Sequence, residues 1–317
     1  MPAAQRPVPG CLSHICSAVR FRGGPITGSA MRGDPGLQGD HTMNLWNQLP
    51  YHIDPALITI GSFQLRWYGL MYLVAFYITY RLVLYRIGDE GYTFTKETIQ
   101  DLFVWLIVGL LVGARLGYIL FYNFDYYLAR PLMIVFPFDP ADGFRYVGIS
   151  GMSYHGGALG VVIAALFFCR RRGIGFWHLA DLFAAALPLG YTFGRIGNFL
   201  NGELYGRITT MPWGMYFPLD PSGQLRHPSQ LYEALFEGVL LFIVLWSVRK
   251  RGRFDGYLLS LYLIGYGMVR FVIEFFRDPD PQLGFVLGAM TMGQLLGLAM
   301  IILGGVLYGI RRRAASA

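Results

Sequence analysis

The stretch QDLFVWLIVGLLVGARLGYILF, residues 100–121, is a long and nearly uninterrupted apolar run. A helix needs about 20 apolar residues to cross the hydrocarbon core of a bilayer, and this run is long enough. Six further apolar segments lie near residues 65–85, 151–169, 178–200, 231–248, 256–276 and 287–310. The sequence therefore predicts an all-α, polytopic integral membrane protein with seven transmembrane helices.

The composition favours the same class of protein. Of the 317 residues, 54% are hydrophobic and 14% are charged, whereas soluble chains are about a quarter charged. The net charge of +7 would suit nucleic acid, but the basic residues cluster in short loops between apolar segments. That distribution is typical of membrane topology, so we expect membrane lipids and no nucleic acid as partners.

The distribution of Lys and Arg predicts how the helices are oriented. The connections after the first, third, fifth and seventh segments hold thirteen of these residues, and the opposite connections hold five. Loops rich in Lys and Arg face the cytoplasm. The beginning of the first helix is therefore predicted to be periplasmic and the C-terminus cytoplasmic.

Residues 1–42 differ in composition from the rest of the chain. They are rich in Gly, Pro, Arg and Ser and contain no apolar run of about ten residues, so they do not form a secretory signal. We expect them to be disordered. A translation start at Met43 would remove them and leave residues 43–317 as one membrane catalytic domain.

Polar residues inside the apolar segments lie on one side of the predicted membrane. Tyr68 is near the outer end of the first helix, and SYHGG, residues 153–157, opens the third. GRIGNFLNGELYG (194–206) ends the fourth, RHPSQLYE (226–233) leads into the fifth, and RFVIEFFRDPD (270–280) ends the sixth. Random scatter would divide these clusters between both leaflets. We therefore expect a functional site at the periplasmic leaflet.

Arginines on two of the predicted helices indicate an anionic ligand. Arg270, Glu274 and Arg277 are spaced i, i+4 and i+7 and share a helix face. A charge near the bilayer centre costs at least about 2.5–3.5 kcal/mol, so Arg270 needs a partner, and Glu274 is the nearest candidate. The two could form a structural ion pair, or Arg270 could grip a phosphate. A second arginine at the same predicted depth, Arg195, favours the interpretation that Arg270 binds a phosphate.

The end of the fourth helix contains further polar groups. Asn198 follows Arg195 at i+3, and Asn201 is followed by Gly202 and Glu203. Asn-Gly is a turn signal, so Asn201 could simply cap the helix. The alternative is that the two amides and the carboxylate orient a lipid headgroup.

The third and first helices offer candidates with two interpretations each. His155 could be a structural histidine or a general base. Gly156 and Gly157 could serve only close helix packing. Tyr68 could be an ordinary interfacial aromatic residue or a hydrogen-bond donor at the site.

Together these motifs resemble those of the prolipoprotein diacylglyceryl transferases. The resemblance covers residues 43–313, is most specific in GRIGNFLNGELYG, and includes RWYGLMYL, GARLGYILFYNF, GMSYHGGALG and RHPSQLYE in the family's order. It implies a bacterial inner-membrane enzyme that moves the diacylglyceryl group of phosphatidylglycerol to the lipobox cysteine of a prolipoprotein signal peptide. The product would be a thioether, with release of glycerol phosphate. No cluster of His, Asp or Glu has ligand spacing, so we expect neither a metal nor another cofactor.

Matching the motifs one by one implies roles for individual residues. In the expected reaction a thiolate attacks the glycerol carbon, two arginines stabilise the departing phosphate, and a histidine is the base. The expected catalytic residues are His155, Arg195, Arg270 and Tyr68. The expected substrate-binding residues are Arg195, Asn198, Asn201, Glu203, Gly206, Gly156, Gly157, Glu274 and Arg277.

Two other classes of membrane protein are alternatives to this interpretation. A lipid phosphatase or acyltransferase would need paired His/Asp or Ser/His residues, whereas only His155 and His227 are predicted at the depth of the site. An anion transporter or channel should have polar residues along its whole path. The cytoplasmic halves of the predicted helices are almost purely apolar, which disfavours a pore.

Overall fold

The computed structural model describes residues 45–60, 63–134, 138–139, 145–146, 153–252, 254–278, 285–288 and 290–316. The predictions for residues 1–42 and for a start at Met43 lie outside these residues. The described part is mostly helical. Its helices are α1 (Trp67–Glu90), α2 (Lys96–Tyr122), α3 (Phe124–Ala129), α4 (Tyr154–Arg172), α5 (Phe176–Ala184), α6 (Leu187–Leu200), α7 (Ser229–Arg251), α8 (Tyr257–Ile273) and α9 (Met292–Ser316).

In the part of the chain that the structure describes, three short antiparallel strand pairs accompany the helices, and the all-α prediction did not include them. They are β1 (Ala56–Ile60) with β2 (Phe63–Arg66), β3 (Phe138–Asp139) with β4 (Arg145–Tyr146), and β5 (Phe285–Leu287) with β6 (Met290–Thr291). Each connects or precedes helices, where backbone groups outside a helix still need hydrogen-bond partners. The hairpins are therefore additions to a helical protein.

Within the described residues, four helices are long and apolar enough to cross a membrane, namely α1, α2, α7 and α9. Helix α8 is apolar but has only 17 residues. Helices also occupy the third and fourth predicted segments, as α4 and as the pair α5 and α6. The prediction of a multi-pass helical membrane protein is confirmed in this coarser form. The count of seven spans and the orientation of the termini stay predictions.

The fourth predicted segment is two helices rather than one. A turn separates α5 from α6, and Pro188 lies in the first turn of α6. Proline lacks a backbone N–H and is tolerated at a helix beginning but not in its interior. The buried Arg86 of α1 donates 2.7 and 2.6 Å hydrogen bonds to the carbonyls of Asp181 and Leu182. These bonds satisfy carbonyl groups near the end of α5 that would otherwise lack partners.

Glycines allow α2 and α4 to approach closely. A Cβ atom on Gly156 would overlap the carbonyl oxygen of Gly113, and one on Gly160 would lie 2.8 Å from the Cα atom of Gly113. Small residues at such spacing are what membrane helices use to bring backbones together. This contact fixes the beginning of α4, where His155 lies.

Charged pairs lie at the end of the helices opposite to the predicted polar clusters. Asp89 and Glu90, at the end of α1, pair with Arg249 near the end of α7. Arg172, at the end of α4, lies 2.5 Å from Asp101 near the beginning of α2. The beginning of α1, the end of α6, the beginning of α7 and the end of α8 therefore share the other end of the bundle.

Candidate functional site

A buried carboxylate, Glu233 of α7, holds three arginines. Its Oε2 lies 2.7 Å from Nε of Arg195 in α6. Its Oε1 lies 3.0 Å from Nη1 of Arg277, which follows α8, and 3.3 Å from Nη1 of Arg270, which lies in the last turn of α8. The Glu233 side chain is 1% exposed and the arginine side chains 13–16%. Buried charges require partners, and the shared carboxylate brings these guanidiniums together.

A second buried carboxylate, Glu237, lies on the same face of α7. Its Oε2 accepts a short hydrogen bond from the Tyr191 hydroxyl, which in turn accepts one of 2.6 Å from Nε of Arg195. Its Oε1 lies 3.8 Å from Nη1 of Arg270. The segment Glu233–Leu240 of α7 is π-helical, a conformation that is frequent at functional sites. The site is thus a compact network of fixed positive and negative charges.

Glu274 connects Arg270 to the beginning of α9. Its Oε2 lies 2.8 Å from Nη2 of Arg270, so the predicted i, i+4 pair is present. Its Oε1 accepts a 3.0 Å hydrogen bond from the Thr291 hydroxyl. The carboxylate therefore lies between the arginine and a neighbouring helix and is 6% exposed.

The end of α6 adds amide groups to the network. Asn198 accepts a 3.3 Å hydrogen bond from Nη1 of Arg195 and donates one of 2.8 Å to Oε1 of Glu203. The backbone carbonyl of Glu203 accepts a 2.6 Å bond from Gln230 of α7. Asn201 caps α6, and its buried Oδ1 has no hydrogen-bond partner within the described part of the chain. Of the predicted headgroup ligands, Asn198 thus contacts Arg195 directly, and Glu203 is connected to it through Asn198.

Gly206 lies where three segments meet outside the helices. Its N–H donates to the carbonyl of His227 at 2.8 Å, and a Cβ atom would overlap the carbonyl oxygen of Phe276. Arg226 packs on the same junction and pairs with Asp220 at 2.8 Å. Burial, the largest single influence, raises the pKa of the Asp220 carboxyl, but Arg226 and the hydrogen bonds from Ser222 together hold that pKa below its usual value. The structure gives Gly206 a role in close approach, and its substrate contact stays a prediction.

Tyr68 and His155 lie on different helices: Tyr68 is in α1, and His155 is in α4. The Tyr68 hydroxyl is 2.9 Å from that of Tyr72, and Tyr68 interacts electrostatically with Arg195 and Glu203, so it borders the network. His155 is exposed at the beginning of α4, which packs on α2. Gly156 and Gly157 pack against α2, as the packing interpretation predicts. The catalytic role of His155 and substrate contacts of the two glycines stay predictions.

Sequence reasoning assigned no individual role to three acidic or amide residues of α7, although the motif RHPSQLYE contains two of them. Gln230, Glu233 and Glu237 are spaced i, i+3 and i+7, which places them on one face of α7, and all three are fully buried. Polar residues at this spacing in an apolar segment are a signal that could have revealed them. Tyr191, one turn before Arg195, carried no comparable signal.

The chain is similar to one protein family and to named relatives over most of its length. A family model described as prolipoprotein diacylglyceryl transferase matches residues 55–310. A relative from Chlorobaculum tepidum is 53% identical over 86% of this chain and 95% of its own length. Relatives from Wolinella succinogenes (47% identical; 83% and 95%) and Geobacter sulfurreducens (46% identical; 80% and 93%) are also similar. All three are called phosphatidylglycerol–prolipoprotein diacylglyceryl transferase.

Proposed function

The chain belongs to the prolipoprotein diacylglyceryl transferase family, and we propose that it transfers diacylglyceryl from phosphatidylglycerol to the lipobox cysteine of a prolipoprotein. The reaction is the first step of bacterial lipoprotein modification. A thioether forms between the cysteine sulfur and the glycerol carbon that carried the phosphate, and glycerol phosphate leaves. One observation carries this proposal: Arg195 and Arg270, from separate helices, meet at the buried Glu233.

The arginines supply the electrostatic part of the reaction. When the carbon–oxygen bond breaks, negative charge develops on the phosphate oxygen that leaves. Donors held in place before the reaction stabilise that charge without reorganising. Each guanidinium has five N–H donors in a rigid fork, more than Glu233 can accept. Arg195 and Arg270 therefore bind the phosphate while Glu233 keeps both side chains in position.

The nucleophile is a thiol that must first lose its proton. A free cysteine has a pKa of about 8.5 and reacts as the thiolate. His155 takes this proton as general base, and Tyr68 donates a hydrogen bond to the lipid. The remaining residues of the proposed site bind the headgroup or permit its approach: Asn198, Asn201, Glu203, Gly206, Gly156, Gly157, Glu274 and Arg277.

The proposed location is the bacterial inner membrane, with the site at the periplasmic leaflet. Seven helices span the bilayer, with the beginning of the first one periplasmic and the C-terminus cytoplasmic. The excess of Lys and Arg on one set of connections supports this orientation. The separation of the arginine network from the charged pairs of Asp89 and Asp101 supports it as well.

The test is a reaction with purified components. The full chain is incubated with phosphatidylglycerol and a lipobox peptide, and mass spectrometry should find one diacylglyceryl group on the cysteine. A peptide with serine in place of cysteine should remain unmodified. Arg195→Ala and Arg270→Ala should each abolish transfer while the protein stays folded. An unmodified peptide with the wild-type chain would overturn the proposed function, and normal turnover by either variant would overturn the phosphate role.

A further inference from the structure

The beginning of α9 is built around the Glu274 carboxylate. Thr291 and Gln294 form a reciprocal cap, in which the Thr291 hydroxyl accepts from the Gln294 N–H at 3.3 Å and the Gln294 side chain accepts from the Thr291 N–H at 3.0 Å. The Thr291 hydroxyl donates its own hydrogen to Glu274. These three side chains are 2–5% exposed. The cap therefore points a donor at a carboxylate that is almost completely buried.

Gly293 provides the space that this carboxylate occupies. A Cβ atom at Gly293 would lie 2.5 Å from Cδ and Oε2 of Glu274 and 2.6 Å from its Oε1. Real Cβ atoms do not approach other atoms so closely, so any side chain at this position must displace the carboxylate. The positive end of the α9 dipole also favours a negative charge here.

The spacing between α8 and α9 cannot relax to admit a side chain. A Cβ atom on Gly267 would lie 2.6 Å from the Gly297 carbonyl oxygen, and one on Gly304 would lie 2.9 Å from that of Ser260. The two helices therefore touch through their backbones along their length. A change at Gly293 has to be absorbed by Glu274.

We propose that Thr291 and Gly293 are positioning residues, which set Glu274 and through it the Arg270 guanidinium that binds the lipid phosphate. The inference rests on the proposed function, because it concerns the arginine assigned to the phosphate. Arg270 reaches Glu274 through Nη2 and Glu233 through Nη1, so two carboxylates define the plane of its guanidinium. A shift of the Glu274 carboxylate would therefore rotate the guanidinium plane of Arg270. Bidentate binding of a phosphate depends on the orientation of that plane.

Gly293→Ala tests the proposal, with Gly305→Ala as the matched control. Gly305 lies on the same helix and has no atom within 4 Å of an added Cβ. We expect Gly293→Ala to lower kcat roughly tenfold or more with a small change in KM, because the phosphate gains its charge in the transition state. Gly305→Ala should leave both constants unchanged.

A second substitution separates positioning from general damage. Aspartate is shorter than glutamate by one methylene, so Glu274→Asp should make room for the alanine. The double variant Gly293→Ala, Glu274→Asp should be severalfold more active than Gly293→Ala alone. Independent effects would multiply and make the double variant the least active of the three. That result would overturn the proposal.

Thr291 offers an arm of the test that does not change helix packing. Thr291→Val keeps the shape but removes the hydroxyl, which donates to Glu274 and accepts from the Gln294 N–H, and should lower kcat severalfold. Thr291→Ser keeps the hydroxyl and should restore most of kcat. If a folded Thr291→Val or Gly293→Ala variant transfers lipid at the wild-type rate, the positioning role is wrong. If the wild-type chain transfers nothing, the proposed function itself is wrong.

Discussion

Glu233 is the residue on which the arginine network depends. It contacts Arg195, Arg270 and Arg277 from inside the protein, where no water replaces a lost partner. We expect Glu233→Ala to lower the free energy of unfolding by about 3–5 kcal/mol, the cost of leaving buried charges unpaired. Transfer per folded molecule should fall below detection, because the arginines lose their common anchor. Denaturation in detergent and the peptide assay measure the two effects.

Glu90 provides the matched control for this prediction. It is also a buried carboxylate that pairs with arginines, Arg86 at 2.6 Å and Arg249 at 3.2 Å, but at the opposite end of the bundle. Glu90→Ala should destabilise the protein and leave transfer per folded molecule near the wild-type value. Comparable transfer by folded Glu233→Ala would contradict the role of Glu233.

The role of His155 predicts a particular dependence on pH. His155→Gln removes the base, and general-base catalysis typically contributes about 10²–10⁴-fold. Near pH 9 a cysteine thiol ionises unaided, so the deficit of the variant should shrink as the pH rises. Initial rates between pH 6.5 and 9.5 measure the effect. A deficit that is the same at every pH would exclude His155 as the base.

At the level of single residues, the sequence predicted pairs within a helix better than partners across helices. The spacing of Arg270 and Glu274 predicted their ion pair, and the structure has it at 2.8 Å. The helix period fixes which residues share a face, but not which residue of another helix that face meets. Glu233 and Glu237 received no partners from the sequence for this reason, since those partners come from α6 and α8.

At the level of elements, the contact of α2 with α4 yields a prediction about stability. Gly156→Ala places a methyl group against the Gly113 carbonyl, and overpacking of this kind typically costs about 1–3 kcal/mol. A lower midpoint of thermal unfolding in detergent is the expected result. Gly88→Ala is the control, because Gly88 has open space around an added Cβ. Equal midpoints for the two variants would contradict close backbone contact at Gly156.

The apolar pattern located the helices but not their interruptions. Helices occupy all seven predicted segments, and α8 spans Tyr257–Ile273 where 256–276 was expected. The fourth segment divides at Pro188, and a buried arginine from α1 supports the break. The supporting arginine is distant in sequence, and a hydropathy pattern does not show which distant residues come into contact. The short hairpins were missed because strands of two to five residues give no clear period.

For the whole molecule, the proposed orientation predicts which side of the membrane each exposed segment faces. Thr210 and Ser316 are exposed, and they lie on connections assigned to opposite sides. In a chain whose native cysteines are replaced by serine, Thr210→Cys should react with a membrane-impermeant thiol reagent in intact cells. Ser316→Cys should react only after the membrane is opened. Labelling of both from one side would contradict the proposed topology.

The charge balance of the network around Glu233 also affects how the proposed product would be released. Its three arginines are matched by three carboxylates, Glu233, Glu237 and Glu274, so their formal charges cancel. This balance lowers the cost of burying the charges inside the protein. It also means that a freed glycerol phosphate is retained by local geometry alone and by no surplus of positive charge. Under the proposed function, that balance favours release of the glycerol phosphate after each transfer.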